Sequence, residues 1–188
     1  MRAFFYILIW ILPICSVSQT IDYRRFNNYH IEKALFEELN RHRGEYGMEP
    51  MIFSRIMRDE ITSPQLAIII KEDRLHHPGL DVYLDSTPLL GRISEESFKK
   101  TGVSSQTHWS GNPIIGLAEN IFWCGWFPDT YQELARICIR GFHNSTSGHR
   151  EVQLKSYLSG GKGGLVSCRA WFTQSGVYIV FNYASIGR

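Results

Sequence analysis

The pattern of apolar and polar residues first indicates a helix. Apolar side chains recur at every fourth position over residues 31–39, which places them on one face of a helix: Ile31, Leu35 and Leu39. The preceding asparagines, residues 27–28, are suited to cap that helix, and Gly44 and Gly47 are suited to end it. We therefore predict a helix from about residue 28 to about residue 43.

A second helical stretch is predicted to begin near Ser54. Pro64 either kinks this stretch or starts a new helix, because proline is tolerated only in the first turn. An apolar face continues to about residue 75 through Leu66, Ile69 and Ile70. Two prolines and two glycines in residues 76–91 predict a loop, followed by a short helix over residues 94–100.

The second half of the chain favours strands. Residues 117–124 form a plausible strand, and a helix capped by Asp129 should run to about residue 140, with Gly141 as its stop. Residues 165–173 and 177–184 are β-rich and flank a short turn, so a hairpin is predicted there. Helices followed by an antiparallel sheet predict an α+β fold with helices packed on the sheet.

The N-terminus has the pattern of an export signal. Arg2 precedes an apolar run over residues 3–15, and small and polar residues follow at 16–19. The run is too short for the roughly 20 residues that span a bilayer. We predict a signal peptide over residues 1–18, a short extension over 19–30 and one domain over 31–188, secreted or otherwise extracytoplasmic. A lipoprotein acylated at Cys15 is disfavoured by the bulky Ile14 before it, and an uncleaved anchor is a further alternative.

Charge and cysteine content narrow the possibilities. The sequence has 20 Lys and Arg against 18 Asp and Glu, so removal of Arg2 leaves 19 − 18 = +1, which recruits neither nucleic acid nor a membrane surface. No second segment is apolar enough to span a membrane. Three cysteines remain after residue 18, so they cannot all pair within one chain: Cys124, Cys138 and Cys168. They are either small buried hydrophobes or include one bridge.

Histidine and glutamate carry the candidate chemistry. His76 and His77 follow a predicted helix, His149 lies in a Ser-Gly-His-Arg segment, and Glu119 lies in an Ala-Glu-Asn-Ile segment. Imidazole and carboxylate are the usual zinc ligands and a usual proton-transfer pair. Their spacing alone does not show that they meet. The glycine-rich turn at 160–164 is no phosphate loop, because Gly163 stands where Ser or Thr is needed.

Together these segments resemble the CAP superfamily, the cysteine-rich secretory, antigen 5 and pathogenesis-related-1 proteins, and in particular its compact bacterial branch. The similarity covers about residues 31–184. Asn40 and Arg43 match the opening helix of the family. The similarity continues through the helix end at 74–77 and the loop and short helix at 86–102. It includes the Glu-Asn-Ile motif at 119–121, the Gly-His-Arg motif at 148–150 and the last strand at 178–183.

The resemblance implies an α-β-α sandwich with a cleft of two histidines and one or two glutamates, and a divalent, zinc-like cation as the candidate cofactor. Matched residue by residue, the cleft comprises His77 (or His76), Glu119 and His149, with Glu133 as the second glutamate and Asn120 and Arg150 in supporting roles. His108 competes for the first histidine position, because it lies eleven residues before Glu119. Phe142 and His143 occupy the region where the family usually has Trp, and Ser147 replaces its common Pro.

Three functions remain open. The resemblance favours a secreted binding module for a divalent cation or a small apolar or glycan ligand. Alternatives are a metal-assisted or His/Glu-dependent peptide or ester hydrolase, and an envelope-associated interaction protein with a vestigial cleft. Ser145 and Ser147 lie near His149, but neither lies in a recognisable nucleophile turn. Four aromatic residues belong either to the core or to a lipid- or glycan-binding patch: Trp109, Trp123, Trp126 and Phe127.

Overall fold

A computed structural model describes residues 19–102, 115–155 and 164–186. Its helices are a 3-10 turn at Tyr23–Arg25, α1 (Asn28–Glu45), α2 (Arg55–Met57), a π-helical turn at Arg58–Thr62, α3 (Ser63–Glu72), α4 (Asp81–Leu84), α5 (Thr87–Thr101), α6 (Tyr131–His143) and α7 (His149–Leu154). Its strands are β1 (Ile52–Phe53), β2 (Ile115–Cys124), β3 (Leu165–Thr173) and β4 (Gly176–Ile186). The predicted signal peptide and His108 lie outside the described residues.

The strands of the described part form one mixed sheet in the order β1-β3-β4-β2. β3 and β4 form the predicted hairpin, β2 pairs antiparallel with β4, and the short β1 pairs parallel with β3. Within this sheet β2 is an edge strand, so one of its sides is open to neighbouring loops. The α+β prediction with a mainly antiparallel sheet is confirmed.

Both faces of the sheet are covered by helices. Along β4 the odd positions Ile179 and Phe181 pack with α1 and α6, because successive strand residues point to opposite faces. The even positions Tyr178 and Val180 pack against α3, and the end of β4 packs against α2 and α5. The result is the expected three-layer arrangement of helix, sheet and helix.

The first helix is fixed at both ends. The Asn27 side chain accepts hydrogen bonds from the backbone amides of Tyr29 and His30, so the predicted cap is confirmed. Near the other end, the fully buried Arg43 donates to three backbone carbonyls, those of Glu49 (2.9 Å), Gln153 (2.6 Å) and Lys155 (3.0 Å). This arginine therefore ties α1 to the end of α7.

Three secondary-structure predictions are wrong. Thr130, and not Asp129, caps α6, because the Thr130 hydroxyl accepts from the Glu133 amide. Residues 76–91 are not all loop, because α4 lies within them and α5 begins at Thr87, well before the predicted residue 94. Pro88 lies in the first turn of α5, where its missing amide costs nothing. Gly141 does not end α6, which continues to His143. A side chain at Gly141 would lie 2.6 Å from the Phe122 ring, so this glycine permits close packing.

The three cysteines are all buried and form no disulfide with one another. Burial raises the pKa of each thiol, most strongly for Cys138 and Cys168, so they remain protonated and apolar. Of the two alternatives, this corresponds to small buried hydrophobes. No helix of the described residues is long and apolar enough to cross a bilayer.

Candidate functional site

Glu119 lies in the middle of the edge strand β2, with its side chain only 7% exposed. One carboxylate oxygen accepts a hydrogen bond from the Gln65 side-chain amide at 2.8 Å. The other lies 2.8 Å from Nδ1 of His77. Through its two oxygens, Glu119 thus links the buried Gln65 of α3 to the exposed His77.

A buried amide pair supports this carboxylate from below. Gln65 and Asn182 are both fully buried, and Asn182 donates from Nδ2 to Oε1 of Gln65 at 2.8 Å. The Gln65 amide also donates to the Gly79 carbonyl at 3.1 Å, which fastens the loop that carries His77. Sequence reasoning missed both amides. The available signal was Asn182 itself, because a polar residue in an otherwise apolar strand needs a buried partner.

His77 follows the end of α3, where Asp73 adopts a left-handed conformation that ends the helix. Its side chain is 54% exposed, while Nδ1 is held by Glu119. Since a carboxylate accepts this bond, Nδ1 carries a proton, and Nε2 is the ring nitrogen left without a partner among the described residues. Neighbouring His76 contacts other groups instead, with Nδ1 3.0 Å from the Arg74 carbonyl and Nε2 3.3 Å from Glu72.

His149 is the first residue of α7, preceded by Gly148 in a left-handed conformation. Its backbone carbonyl accepts from the Asn120 side chain at 3.0 Å, which anchors the start of α7 to β2. Its Nδ1 lies 3.0 Å from the Ser145 hydroxyl. Burial first, and then the charge that a protonated His77 would carry, lower the pKa of His149, so its ring is neutral near pH 7.

The rings of His77 and His149 approach each other with centroids 6.2 Å apart. Within the described part of the chain, both Nδ1 atoms are hydrogen-bonded and neither Nε2 atom is. Two imidazoles and a buried carboxylate therefore line one cleft at the outer edge of β2. Burial, and then the Glu119 charge, raise the pKa of the Tyr83 phenol in α4.

Two further predicted residues lie elsewhere. Glu133 accepts from the Asp129 amide in the first turn of α6, and that helix meets His149 only at its opposite end. Arg150 stacks over the Tyr46 ring, 5.9 Å from its centroid. The structure gives neither residue a contact with His77 or Glu119.

The described aromatic residues after the cleft are exposed, so the core is the wrong one of the two alternatives for them, whereas ligand binding by them stays a prediction. Trp123, Trp126 and Phe127 all face solvent, whereas Trp109 lies outside the described residues. Trp123 is on the same strand face as Glu119, about 13 Å further along β2. The Phe127 ring instead contacts Tyr23 and Phe172 of β3, which lies on the other side of β4 from β2.

Within the described residues, no group of three or more His, Cys, Asp or Glu side chains is arranged to hold a metal ion. In the cleft, the two free Nε2 atoms are the candidate ligands, while Glu119 orients His77 through its other nitrogen. A carboxylate in that position is the usual outer partner of a metal-binding histidine.

Comparison with known proteins gives a structural similarity and no match by sequence. No model of a known protein family matches the sequence, and no curated protein matches it. A solved cysteine-rich secretory protein from Staphylococcus aureus aligns with 85% of this chain and 39% of its own, at 14% identity and a TM-score of 0.46. The chain therefore spans about two fifths of that protein, and the similarity concerns chain shape alone.

Proposed function

We propose that this protein is an exported binding module whose His77–His149 cleft takes a divalent, zinc-like cation. Through the open positions of that cation, the cleft would take a small ligand. The observation that carries the proposal is the hydrogen bonding of the four ring nitrogens. Both Nδ1 atoms are hydrogen-bonded, both Nε2 atoms are free among the described residues, and the buried Glu119 orients one ring. Imidazole nitrogen is a preferred zinc donor, and a neutral ring is required for it.

The separation of the rings sets one requirement. Zinc–nitrogen bonds of about 2.0–2.1 Å meeting at a tetrahedral angle place two ring centroids about 5 Å apart. The observed 6.2 Å therefore requires the rings to approach by about 1 Å. His77 is the side chain that would move, because it is exposed and lies on a loop, whereas His149 is fixed by Ser145 and Asn120.

The exposed aromatic residues support an apolar or glycan ligand. Trp123, Trp126 and Phe127 are all exposed, and Trp123 lies on the strand that carries Glu119. Exposed aromatic rings can stack on sugars or cover apolar groups. A cation in the cleft would hold a polar donor of the ligand, while the rings hold its apolar part.

A hydrolase is the second candidate, because Ser145 Oγ lies 3.0 Å from Nδ1 of His149. A serine hydroxyl at that distance from a neutral imidazole has the geometry of a nucleophile and its base. The hydroxyl also accepts from the Ser147 amide, which is a local turn contact. Ser145→Ala separates the two functions, since it removes a nucleophile but neither Nε2 atom.

Zinc uptake by the purified protein tests the proposal. We expect the double variant His77→Gln/His149→Gln to lose one zinc equivalent, whereas His76→Gln, its matched control, keeps it. Unchanged zinc content in the double variant would refute the cation cleft. Turnover of peptide or ester libraries that disappears in Ser145→Ala would instead support the hydrolase.

Export is tested separately. Expression of the full chain should give an extracytoplasmic protein whose mass corresponds to cleavage after Ser18, within a residue or two. A protein that is exported but takes up no zinc and turns over no substrate would support the envelope-associated interaction function.

A further inference from the structure

A second pair of histidines lies away from the cleft, where the ends of two long helices meet. His42 is near the end of α1, and His143 is the last residue of α6. Nε2 of His42 lies 3.2 Å from Nδ1 of His143, with ring centroids 4.9 Å apart and ring planes at 84°. Neither ring was part of the predicted cleft.

The other nitrogen of each ring also has a partner. Nδ1 of His42 lies 3.5 Å from a carboxylate oxygen of Glu45, one turn further along α1. Nε2 of His143 lies 3.2 Å from the hydroxyl of Tyr46, the residue after α1. Two imidazoles that face each other, each held from behind by an oxygen, reproduce the outer-partner arrangement of metal-binding histidines.

The ring geometry suits two nitrogens that bind one ion better than it suits a straight hydrogen bond. A straight N–H···N hydrogen bond of this length would put the two centroids about 5.5 Å apart. The observed separation is 4.9 Å, so the two rings are bent towards one side. Two zinc–nitrogen bonds of about 2.0–2.1 Å at a tetrahedral angle need nitrogens about 3.3 Å apart and centroids about 5 Å apart. The pair already has both separations, without movement.

The electrostatic surroundings allow a cation to bind. The nearest fixed positive charge on α1, Arg41, is paired with Glu38 and Glu45. His143 is half-buried and Tyr46 is exposed, so the pair is reachable from solvent.

We propose that His42 Nε2 and His143 Nδ1 form a second, preformed site for a divalent cation of the zinc, nickel or copper class. These cations share a preference for imidazole nitrogen. The protein supplies two ligands, and water or a ligand donor supplies the rest. This site does not depend on the cleft, because the two pairs share no side chain. The alternative is a plain imidazole–imidazole hydrogen bond that takes up no metal.

Counting bound zinc separates the two sites. Isothermal titration of the full chain with Zn²⁺ should give two equivalents for the unsubstituted protein. His143→Gln and the cleft variant His149→Gln should each give one, and the combination of both should give none. His30→Gln, a histidine outside both pairs, is the matched control and should keep two. If only the cleft fails, the unsubstituted protein and His149→Gln give one equivalent and His143→Gln gives none.

Unchanged zinc stoichiometry in His143→Gln would overturn this proposal, whatever the cleft does. Circular dichroism of each variant must show a folded chain, and His143 is chosen over the more buried His42 for that reason. Tyr46→Phe is the second variant. Loss of the hydroxyl behind His143 should weaken zinc binding at this pair several-fold, while the cleft affinity stays the same. Equal zinc affinity in Tyr46→Phe would contradict the orienting role of the hydroxyl.

Discussion

The two histidine pairs use the same side chains on very different supports. The cleft pair joins a loop to the first turn of a short helix, beside an edge strand. The other pair joins the ends of α1 and α6, which pack directly on each other. The cleft rings are 6.2 Å apart and the helix-end rings are 4.9 Å apart. Two packed helices therefore hold their imidazoles close together, whereas the imidazoles of the loop and the short helix stay further apart.

The carboxylates behind the two pairs show the reverse trend, because the tighter hydrogen bond belongs to the more widely spaced cleft pair. Glu119 is buried, lies 2.8 Å from His77 and rests on the Gln65–Asn182 amide pair. Glu45 is half-exposed and lies 3.5 Å from His42. A buried, hydrogen-bonded carboxylate orients a ring more strongly than a solvated one. In the cleft, the rings of His77 and His149 are widely spaced, while Glu119 holds His77 in a fixed orientation. This arrangement suits a site whose rings close on a ligand.

The largest expected effect is on stability, from Gln65→Leu. This change removes the amide that donates to Glu119 and accepts from Asn182, and leaves a buried carboxylate without its core partner. We expect a loss of about 2–4 kcal/mol in the free energy of unfolding, measured by urea denaturation. Glu45→Ala, at the other pair, should lose no more than about 1 kcal/mol. Equal losses would mean that the buried support is not what distinguishes the cleft.

The next effect is on zinc affinity. Glu119→Gln keeps the shape of the side chain but removes the negative charge behind His77, so cleft affinity should fall about 10–100-fold. The measurement is zinc titration in a His143→Gln background, where only the cleft is left. Glu45→Gln, measured in a His149→Gln background, should change affinity less than Glu119→Gln. Glu72→Gln, which alters the partner of His76 and of Arg74 and no residue of either pair, should leave both sites unaffected.

The sequence predicted the elements better than their ends. Regular apolar spacing identified α1, and β-rich runs around a short turn identified the β3–β4 hairpin. The errors arose at residues whose role depends on contacts distant in sequence. Gly141 lies inside α6 because the Phe122 ring needs the space, and Pro88 starts a helix that single-residue signals placed later.

The site was predictable only as a set of residue types. Motif resemblance selected His77, Glu119 and His149, and the structure brings these three together, while their role stays a prediction. Asn182 signalled that a buried polar partner was needed, but nothing in one sequence shows that this partner is Gln65 or that the two amides meet under a carboxylate. His42 was missed because it reads as one polar residue on an amphipathic helix. Its partner His143 lies about a hundred residues later.

The third prediction concerns pH. The folded pKa values of His42 and His149 lie below the ordinary value near 6.5, so the unfolded chain binds protons first as pH falls. Stability should therefore be full above about pH 6.5 and decrease below it. Glu45 beside His42 and Glu151 near His149 oppose these shifts only partly. Each single Gln substitution should flatten part of the decrease in unfolding free energy, and His30→Gln should not. If neither the His42→Gln nor the His149→Gln variant changes the pH dependence of the unfolding free energy, the burial of these two rings is contradicted.

The smallest effect is expected from Arg150→Ala, and it should act in opposite directions on stability and binding. The guanidinium stacks on Tyr46, which in turn contacts His143. Loss of this exposed cation–π contact should cost about 0.5–1 kcal/mol of unfolding free energy. The same change removes a positive charge beside the helix-end pair, so zinc should bind there somewhat more tightly in a His149→Gln background. Tighter binding together with lower stability would show that Arg150 acts by charge at this pair. Weaker binding would instead show that its contact with Tyr46 is needed to hold His143 in place.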